Sequence, residues 1–490
     1  MTSFASLFAV ALLAAAPEGG TIPITTTSPE AAASYVEAFD QLFAGHADLA
    51  RAAANKALSL DPNLLLAQAL VQAITPGTES MKKVDAALAA GASLPEAERT
   101  ELAVWAANKH ADSEKARGLE LKLLEMAPRD WRAHVFVGTT AFFVGHKADE
   151  AKAHMREAAE LNPKAASVWA TLAAIALEQG DKAGAADARK KVAEMRPDDP
   201  AAQADYAYAL ITAGHLDEAE QVARKAAALP NPGAKPLAAL ANVEFYRSQY
   251  ARGYQDLAKA RSLSKDDNER MGLMSFEMLS HAAEGKYQGA MQAASALEKE
   301  ARAKKNPNFY VAAATNRSFA ANLLGKHGDA QKHAAEALAR IGKEPLSDAG
   351  RKGLQRGAYV AAMWAQAFGN NLAGAEKTLA ILEADAAESP NDLNAQSSAW
   401  WGRGIFELAK GDAKSAAEGM KKCVPTFDLC HYHLAIAQEK AGDRAGAEAT
   451  RTTLLAQQRS QDGFFLTLRS QLLKKQGRTA SDQRPAPKAG

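Results

Sequence analysis

The sequence predicts an all-α fold, an α-solenoid in which helix–turn–helix repeats stack along the chain. The first observation is a ladder of small residues at steps of 34 residues, formed by Ala151, Ala185, Ala219 and Gly253. A period of 34 residues is the length of a stacked helix–turn–helix repeat. The second observation is that no long stretch alternates apolar and polar residues with period two, as a half-buried strand would.

A second ladder supports the same period. It runs seven residues behind the first and consists of Ala158, Val192, Ala226 and Ala260. Two helices approach closely only where their side chains are short, and protein interiors are densely packed. Small residues at fixed places therefore predict the crossing points between helices.

Glycine and proline mark the expected ends of the helices. Glycine readily adopts the left-handed conformation that ends a helix, and proline cannot continue one. Prolines at 62, 163 and 197 are expected to close the second helix of their repeats. The glycines expected to end first helices each precede Asp, Lys or His: Gly45, Gly180, Gly214, Gly285, Gly325, Gly411 and Gly442.

One repeat, residues 166–199, shows the full pattern. Its characteristic residues are Trp169 at the fourth place, Leu172 at the seventh, Gly180 at the fifteenth, Ala185 at the twentieth and Pro197 near the end. This pattern resembles the tetratricopeptide repeat (TPR) family. The resemblance implies a right-handed superhelix of about eleven or twelve TPR-like repeats between Ala31 and Gln458, followed by a C-terminal capping helix.

The resemblance varies along the chain. Residues 31–64 and 397–430 repeat the arrangement, 65–96 keep little of it, and the register drifts over 345–395. The predicted segments are a signal peptide (1–16), a linker (17–30), degenerate N-terminal TPR-like repeats (31–130), a regular TPR array (131–267), a C-terminal TPR-like array (268–461), a capping helix (462–476) and a disordered basic tail (477–490).

The N-terminus predicts export. Phe4 to Ala16 form an apolar run that is too short to span a bilayer but has the length of a signal-peptide core. No Lys or Arg precedes it, so a frayed N-terminal helix is the alternative. We expect a periplasmic protein of a bacterium, or a cytoplasmic one if the run is not a signal peptide.

Composition excludes several functional classes. The 58 basic and 57 acidic residues nearly cancel, so no field would steer nucleic acid to the body of the chain. A mean hydropathy of −0.27 argues against an integral membrane protein. The stretch from Arg469 to Gly490 has six basic residues and one acidic residue, which fits a solvated tail or a contact with an anionic partner.

The sequence does not predict an enzyme. It contains no GxxxxGK[ST], HExxH, GxSxG or dinucleotide-binding glycine pattern, and no cofactor is expected. One cluster combines the two cysteines of the chain, Cys423 and Cys430, with His431 and His433. Its residue types suit zinc, but its spacing is not a recurring zinc pattern. A disulfide between Cys423 and Cys430 and two free thiols are the alternatives.

The resemblance also implies a binding surface, because the first helix of each TPR lines a concave groove. The residues carried over to this groove are Phe136, Thr140, Phe143, Ala174, Leu177, Tyr208, Ile211, Asn242, Phe245 and Tyr246. The carboxylate clamp of some TPR cochaperones is missing. An apolar groove favours an amphipathic helix, an apolar extended segment or another copy of the chain. Alternatively, part of this set belongs to the intramolecular core.

Two functions follow from this reasoning. The first is a non-enzymatic scaffold that binds a protein or peptide partner during assembly of a bacterial envelope complex. The second is a structural spacer that self-associates or binds only at its ends. A zinc-dependent activity at the C-terminal cluster is a remote third hypothesis.

Overall fold

The computed structural model describes residues 20–457, 459 and 462–475. Within these residues the chain forms 25 α-helices and one short 3₁₀ helix, Gly91–Ser93, and has no strand. The predicted all-α solenoid is therefore confirmed. The predicted signal peptide, 1–16, and the predicted tail, 477–490, lie outside the described residues.

The chain divides into two compact units, Met1–Met195 and Arg196–Gly490. In unit 1, five antiparallel helix pairs follow one another, and consecutive pairs pack together. The helices of unit 1 are α1 (Pro29–Phe43), α2 (Ala47–Leu60), α3 (Leu65–Ala73), α4 (Thr78–Ala90), α5 (Glu96–Lys109), α6 (Ser113–Met126), α7 (Trp131–Phe143), α8 (Ala148–Leu161), α9 (Ala166–Glu178) and α10 (Lys182–Met195).

Unit 2 contains seven helix pairs and a single helix at its end. Its pairs are α11 (Pro200–Ala213) and α12 (Leu216–Ala227), α13 (Lys235–Tyr246) and α14 (Tyr250–Leu263), α15 (Asp267–Glu284) and α16 (Tyr287–Ala303), α17 (Pro307–Leu323) and α18 (His327–Ile341), α19 (Asp348–Phe368) and α20 (Leu372–Glu388), α21 (Leu393–Lys410) and α22 (Ala413–Met420), and α23 (Asp428–Lys440) and α24 (Arg444–Ala456). The single helix is α25 (Gly463–Lys475).

The turns within the pairs have the conformation that the sequence predicts. All seven glycines expected to end first helices have positive φ, between 71° and 94°. Other residues adopt this conformation in equivalent turns, among them Ala111 with φ 57° and His146 with φ 52°. Glycine therefore eases these turns, but the fold does not require it at every repeat.

The ladders of small residues lie at helix crossings, as predicted. Ala151, Ala185 and Ala219 are fully buried. At Gly253 an added Cβ would lie 2.5 Å from Cε1 of Phe245, so the ring fills the space that alanine takes in the other repeats.

The 34-residue period does not hold after Leu263. Helices α15, α17 and α19 begin at Asp267, Pro307 and Asp348, which are 40 and 41 residues apart. The cause is helix length, because α15 has 18 residues and α19 has 21. This explains the drift in register that the sequence shows over 345–395.

Helix α25 forms where the sequence predicts a capping helix, but its main contact is with α15 rather than with the last pair, α23 and α24. No helix in the described part of the chain has both the length and the apolar character needed to cross a membrane.

Candidate functional site

In unit 1, helix α1 packs across the first helices of later pairs, where the predicted groove lies. The ring of Phe39 contacts the rings of Trp105, Trp131 and Phe136, with centroids 6.1, 5.4 and 5.1 Å away. Phe43 also contacts Phe136, at 5.4 Å. Phe136 is only 1% exposed. This predicted groove residue is therefore part of the core, because α1 covers it.

Asp40 of α1 binds the start of α9. Its two carboxylate oxygens accept hydrogen bonds from the backbone N–H groups of Ala166, at 3.2 Å, and Ser167, at 2.9 Å. These N–H groups have no partner within the helix, and a negative charge is favourable at a helix N-terminus. Asp40 thus fixes the far end of α1 to the fifth pair of unit 1.

A buried charge network binds the middle of α1. Tyr35 donates a hydrogen bond of 2.6 Å to Glu101, and Arg132 pairs with Glu101 at 3.2 Å and with Asp130 at 3.0 Å. Burial raises the pKa of Glu101. Burial alone would lower the pKa of Arg132, but the two carboxylates raise it above its usual value. The guanidinium therefore stays charged inside unit 1.

The same network holds the segment before α1. The backbone N–H of Ile22 donates to Asp130 at 2.9 Å, and Arg132 donates to the carbonyl of Ile22 at 2.6 Å. Thr25 donates both its backbone N–H and its hydroxyl to Glu98. The chain from Ile22 through α1 is thus tied to unit 1 at several points.

Part of the predicted groove remains accessible in unit 1. Phe143 is 60% exposed, Val144 57% and Leu177 45%, and Thr140 and Ala174 are half-buried. Phe143 and Leu177 are 34 residues apart, at equivalent places near the ends of α7 and α9, which pack against each other. We call Thr140, Phe143, Val144, Ala174 and Leu177 the α7–α9 surface.

A buried carboxyl group lies beneath this surface. The hydroxyl of Thr140 donates a hydrogen bond of 2.9 Å to Oε1 of Glu120, which is fully buried on α6. Burial raises the pKa of Glu120 to about 7, and the hydrogen bond from Thr140 opposes this only in part. The protonation of Glu120 therefore changes near neutral pH, directly below an exposed apolar patch.

In unit 2 the predicted groove residues are buried. The exposed fractions are 7% for Tyr208, 0% for Ile211 and 1% each for Asn242, Phe245 and Tyr246. The ring of Phe245 contacts Tyr254 of α14 at 5.2 Å and Phe276 of α15 at 5.5 Å. These five residues are not accessible to a partner in this structure.

The end of the chain covers Tyr246. Its hydroxyl exchanges hydrogen bonds of 2.9 Å with the backbone of Arg459, and the guanidinium of Arg469 on α25 lies 5.1 Å from the centre of its ring. Arg459 in turn pairs with Asp428 at the start of α23. Arg459 and α25 therefore lie on the first helices of unit 2.

Cys423 and Cys430 form a disulfide with an S–S distance of 2.06 Å. Of the three alternatives for the C-terminal cluster, the structure has this one, and bonded sulfurs cannot act as thiolate ligands. His431 is half-buried and within 3.0 Å of the carbonyl of Val424, whereas His433 is buried beside Trp401. Within the residues described, no group of three or more His, Cys, Asp or Glu side chains is placed to hold a metal ion.

A cavity of about 370 Å³ lies between α19 and α20. It has charges of both signs, and its Arg356 pairs with Asp385 at 2.6 Å and with Asp392 at 2.9 Å. These ion pairs already use the guanidinium, so the cavity is a weaker candidate than the α7–α9 surface.

The family comparison matches the helix pairs described above. Residues 176–241 match the family model described as tetratricopeptide repeat. These residues carry the tetratricopeptide repeat (TPR) pattern. The match supports a general role in protein interaction.

Two solved structures are similar to parts of this chain. One is a tetratricopeptide repeat protein from Parabacteroides merdae, at 15% identity over 50% of this chain and 98% of that one, with a TM-score of 0.33. The other is Naa15/Naa10 bound to HypK-THB, at 15% identity over 86% of this chain and 68% of that one, with a TM-score of 0.26. Neither likeness bears on function. No curated protein sequence matches this chain.

Proposed function

We propose that this chain is a non-enzymatic scaffold that binds an apolar or amphipathic segment of a partner protein at the α7–α9 surface. The observation that carries the proposal is the exposure of Phe143, Val144 and Leu177, since Phe143 is the only exposed Phe, Tyr or Trp ring among the described residues. Burying one such side chain contributes about 1.5–3 kcal/mol. Because each of the three is already about half-buried, a partner that covers them gains only part of this free energy from each one and must add contacts around them to offset the entropy lost on binding.

The shape of this surface suits a helical or extended segment. Phe143 and Leu177 are contributed by adjacent first helices, so a partner lying across α7 and α9 meets apolar groups from both repeats. An amphipathic helix presents apolar residues at steps of three and four along one face. Such a segment can cover Phe143 and Leu177 while its polar face stays in solvent.

We further propose that the partner belongs to a bacterial cell-envelope complex and that the chain works in the periplasm. Two observations support an oxidising compartment. Cys423 and Cys430 are bonded to each other, and disulfides persist mainly in exported proteins. The apolar run from Phe4 to Ala16 has the length of a signal-peptide core.

The test is a double substitution, Phe143→Asp with Leu177→Asp. Tyr208 is unsuitable because it is buried, and its replacement would disturb the fold. Leu263→Asp is a matched control, since Leu263 is 41% exposed but lies on α14. Affinity capture from the native cell, read by mass spectrometry, should lose specific partners with the double variant and retain them with the control.

The burial of five groove residues in unit 2 favours a second candidate, a structural spacer that self-associates or binds only at its ends. The same experiment separates the two functions. If a folded double variant, with unchanged circular dichroism and melting, captures the same partners as the wild type, the α7–α9 surface is not the binding site.

A further inference from the structure

Helix α25 differs from every other helix of the described residues, because it has no partner in a helix pair. It packs mainly on α15, about 190 residues earlier in the chain, and touches its sequence neighbour α24 only slightly. A helix that closes the end of a solenoid should instead cover the last pair. Helix α25 thus packs on the helix pairs of unit 2 as a bound peptide helix would.

The face of α25 that lies on α15 has a distinct composition. Gly463, Thr467, Ser470 and Lys474 recur at steps of three and four, so they form one stripe along the helix. An added Cβ at Gly463 would lie 2.7 Å from Cβ of Leu279, which shows how closely the two helices approach. A helix can occupy this position only if it has a very small residue there.

The rest of the stripe binds backbone carbonyl groups of α15. The hydroxyl of Thr467 donates to the carbonyl of Leu279 at 3.0 Å and to that of Gly463 in its own helix at 2.8 Å, and the hydroxyl of Ser470 donates to the carbonyl of Ala283 at 2.7 Å. Lys474 lies 3.4 Å from the carbonyls of Ala283 and Glu284. A cation is favourable at this end of α15, where the helix dipole is negative.

Arg469 and several apolar residues complete the contact, and the buried guanidinium of Arg469 donates to the carbonyl of Tyr246 at 3.3 Å. Phe464 packs against Phe319 of α17 with ring centroids 5.0 Å apart, and Phe465, Leu468 and Leu472 are at most 1% exposed. Release of α25 would therefore uncover a deep apolar groove with hydrogen-bond acceptors along one wall. Since α25 ends the described chain, its release breaks no helix pair.

We propose that this groove, the α25 site, is a second protein-binding site of the scaffold and that α25 occupies it until a partner helix displaces it. The partner is an amphipathic helix with the chemistry of α25: a small residue against Leu279, hydroxyls four and seven positions later, and a basic residue toward its C-terminal end. This site is separate from the α7–α9 surface and does not depend on it.

The covalent linker to α25 makes the site selective for helices that bind more tightly than α25 does. A helix joined by a short linker has an effective concentration on the order of millimolar at its own site. A free helix at micromolar concentration therefore competes poorly with α25 unless its own affinity is higher or α25 is weakened. This predicts a closed site in the free chain and an open one when α25 is loosened.

The experiment uses the full chain and a fluorescent peptide with the sequence of residues 462–475. Gly463→Leu in the chain should release α25 by collision with Leu279. Gly272→Leu is the matched control, because an added Cβ at this position of α15 meets nothing within 4 Å. Fluorescence anisotropy should show at least tenfold tighter peptide binding by Gly463→Leu than by the wild type or the control, and a peptide that itself carries Gly463→Leu should not bind.

Thr467→Val is a second variant that tests the proposal if Gly463→Leu disturbs the fold. Valine keeps the size of threonine but removes the hydroxyl that donates to Leu279, so peptide binding should tighten about fivefold, the effect of one lost hydrogen bond. The proposal is wrong if both folded variants bind the peptide no better than the wild type. It is also wrong if loosening α25 produces dimers of the chain without peptide binding, since α25 would then exchange between copies.

Discussion

Each unit places a terminal helix on the first helices of its repeats, but the two helices are attached differently. Helix α1 is half of a pair with α2, and Asp40, Tyr35 and a ring cluster around Phe39 fix it to three later helices. Helix α25 has no pair partner, and its polar contacts with α15 are hydrogen bonds from side chains to backbone carbonyls. The terminal helix is thus an integral part of the repeats in unit 1, whereas in unit 2 it can separate from them.

The difference shows that a helix lying in the groove is not necessarily one that a partner can displace. Unfolding α1 would break a repeat and uncover the ring cluster and the buried charge network of unit 1, whereas moving α25 leaves all seven pairs of unit 2 intact. The predictions that follow test this contrast, from the largest expected effect to the smallest.

Replacing Arg132 by Met should destabilise unit 1 most strongly. The substitution leaves the buried carboxylates of Glu101 and Asp130 without their cation, which costs about 3–5 kcal/mol. Urea unfolding followed by circular dichroism measures the loss. Arg403→Met is the control, because Arg403 pairs with Glu383 at an exposed site and should cost less than about 1 kcal/mol. Equal losses in the two variants would contradict the role of the buried network.

Phe39→Ala and Phe465→Ala form a matched pair, since both remove a fully buried ring from a terminal helix. Each substitution should lower the free energy of unfolding of the region around the missing ring by about 3–5 kcal/mol. Phe39→Ala should speed hydrogen exchange throughout unit 1, whereas Phe465→Ala should speed it mainly in residues 463–475. If Phe465→Ala loosens α15 as much as α25, the last helix is part of the core of unit 2.

Replacing Cys423 and Cys430 together by Ser should destabilise unit 2 moderately. The disulfide closes a short loop between α22 and α23, and loops of this length contribute about 2–3 kcal/mol. Thermal melting with and without a reductant measures the effect. The double variant should melt like the reduced wild type, and a variant that melts like the oxidised wild type would show that the bond stabilises nothing.

Ala185→Leu and Ala219→Leu test the repeat register in unit 1 and unit 2 respectively. Both alanines are fully buried at helix crossings, and overpacking there costs about 1–3 kcal/mol. Each variant should melt below the wild type by a similar amount. If both melt like the wild type, the alanines do not mark crossing points.

The sequence was enough to predict the fold and much of the register. A regular period, small residues at crossings and glycines before polar residues are local signals, and the structure has positive φ at every glycine expected to end a first helix. The 34-residue period does not hold after Leu263. No local sequence signal fixes the length of a repeat helix, and α19 extends to 21 residues.

The site was predicted less well, for a reason that concerns distance along the chain. Phe136 and Tyr246 have the residue types and places of groove residues, but α1 covers the first and the segment around Arg459 covers the second. These contacts join residues about 100 to 210 positions apart, and a repeat pattern describes neighbours only. The one available signal for α25 was the Gly463, Thr467 and Ser470 stripe, which is unusual on a helix otherwise rich in Leu and Phe.

Native-state hydrogen exchange of the wild-type chain, read by mass spectrometry for the peptides of α1 and α25, tests the contrast between the two terminal helices most directly. The expected result is that α25 exchanges through a local opening of low free energy while α15 stays protected, and that α1 exchanges only when unit 1 as a whole opens. Exchange of α25 and α15 in one cooperative step would contradict it.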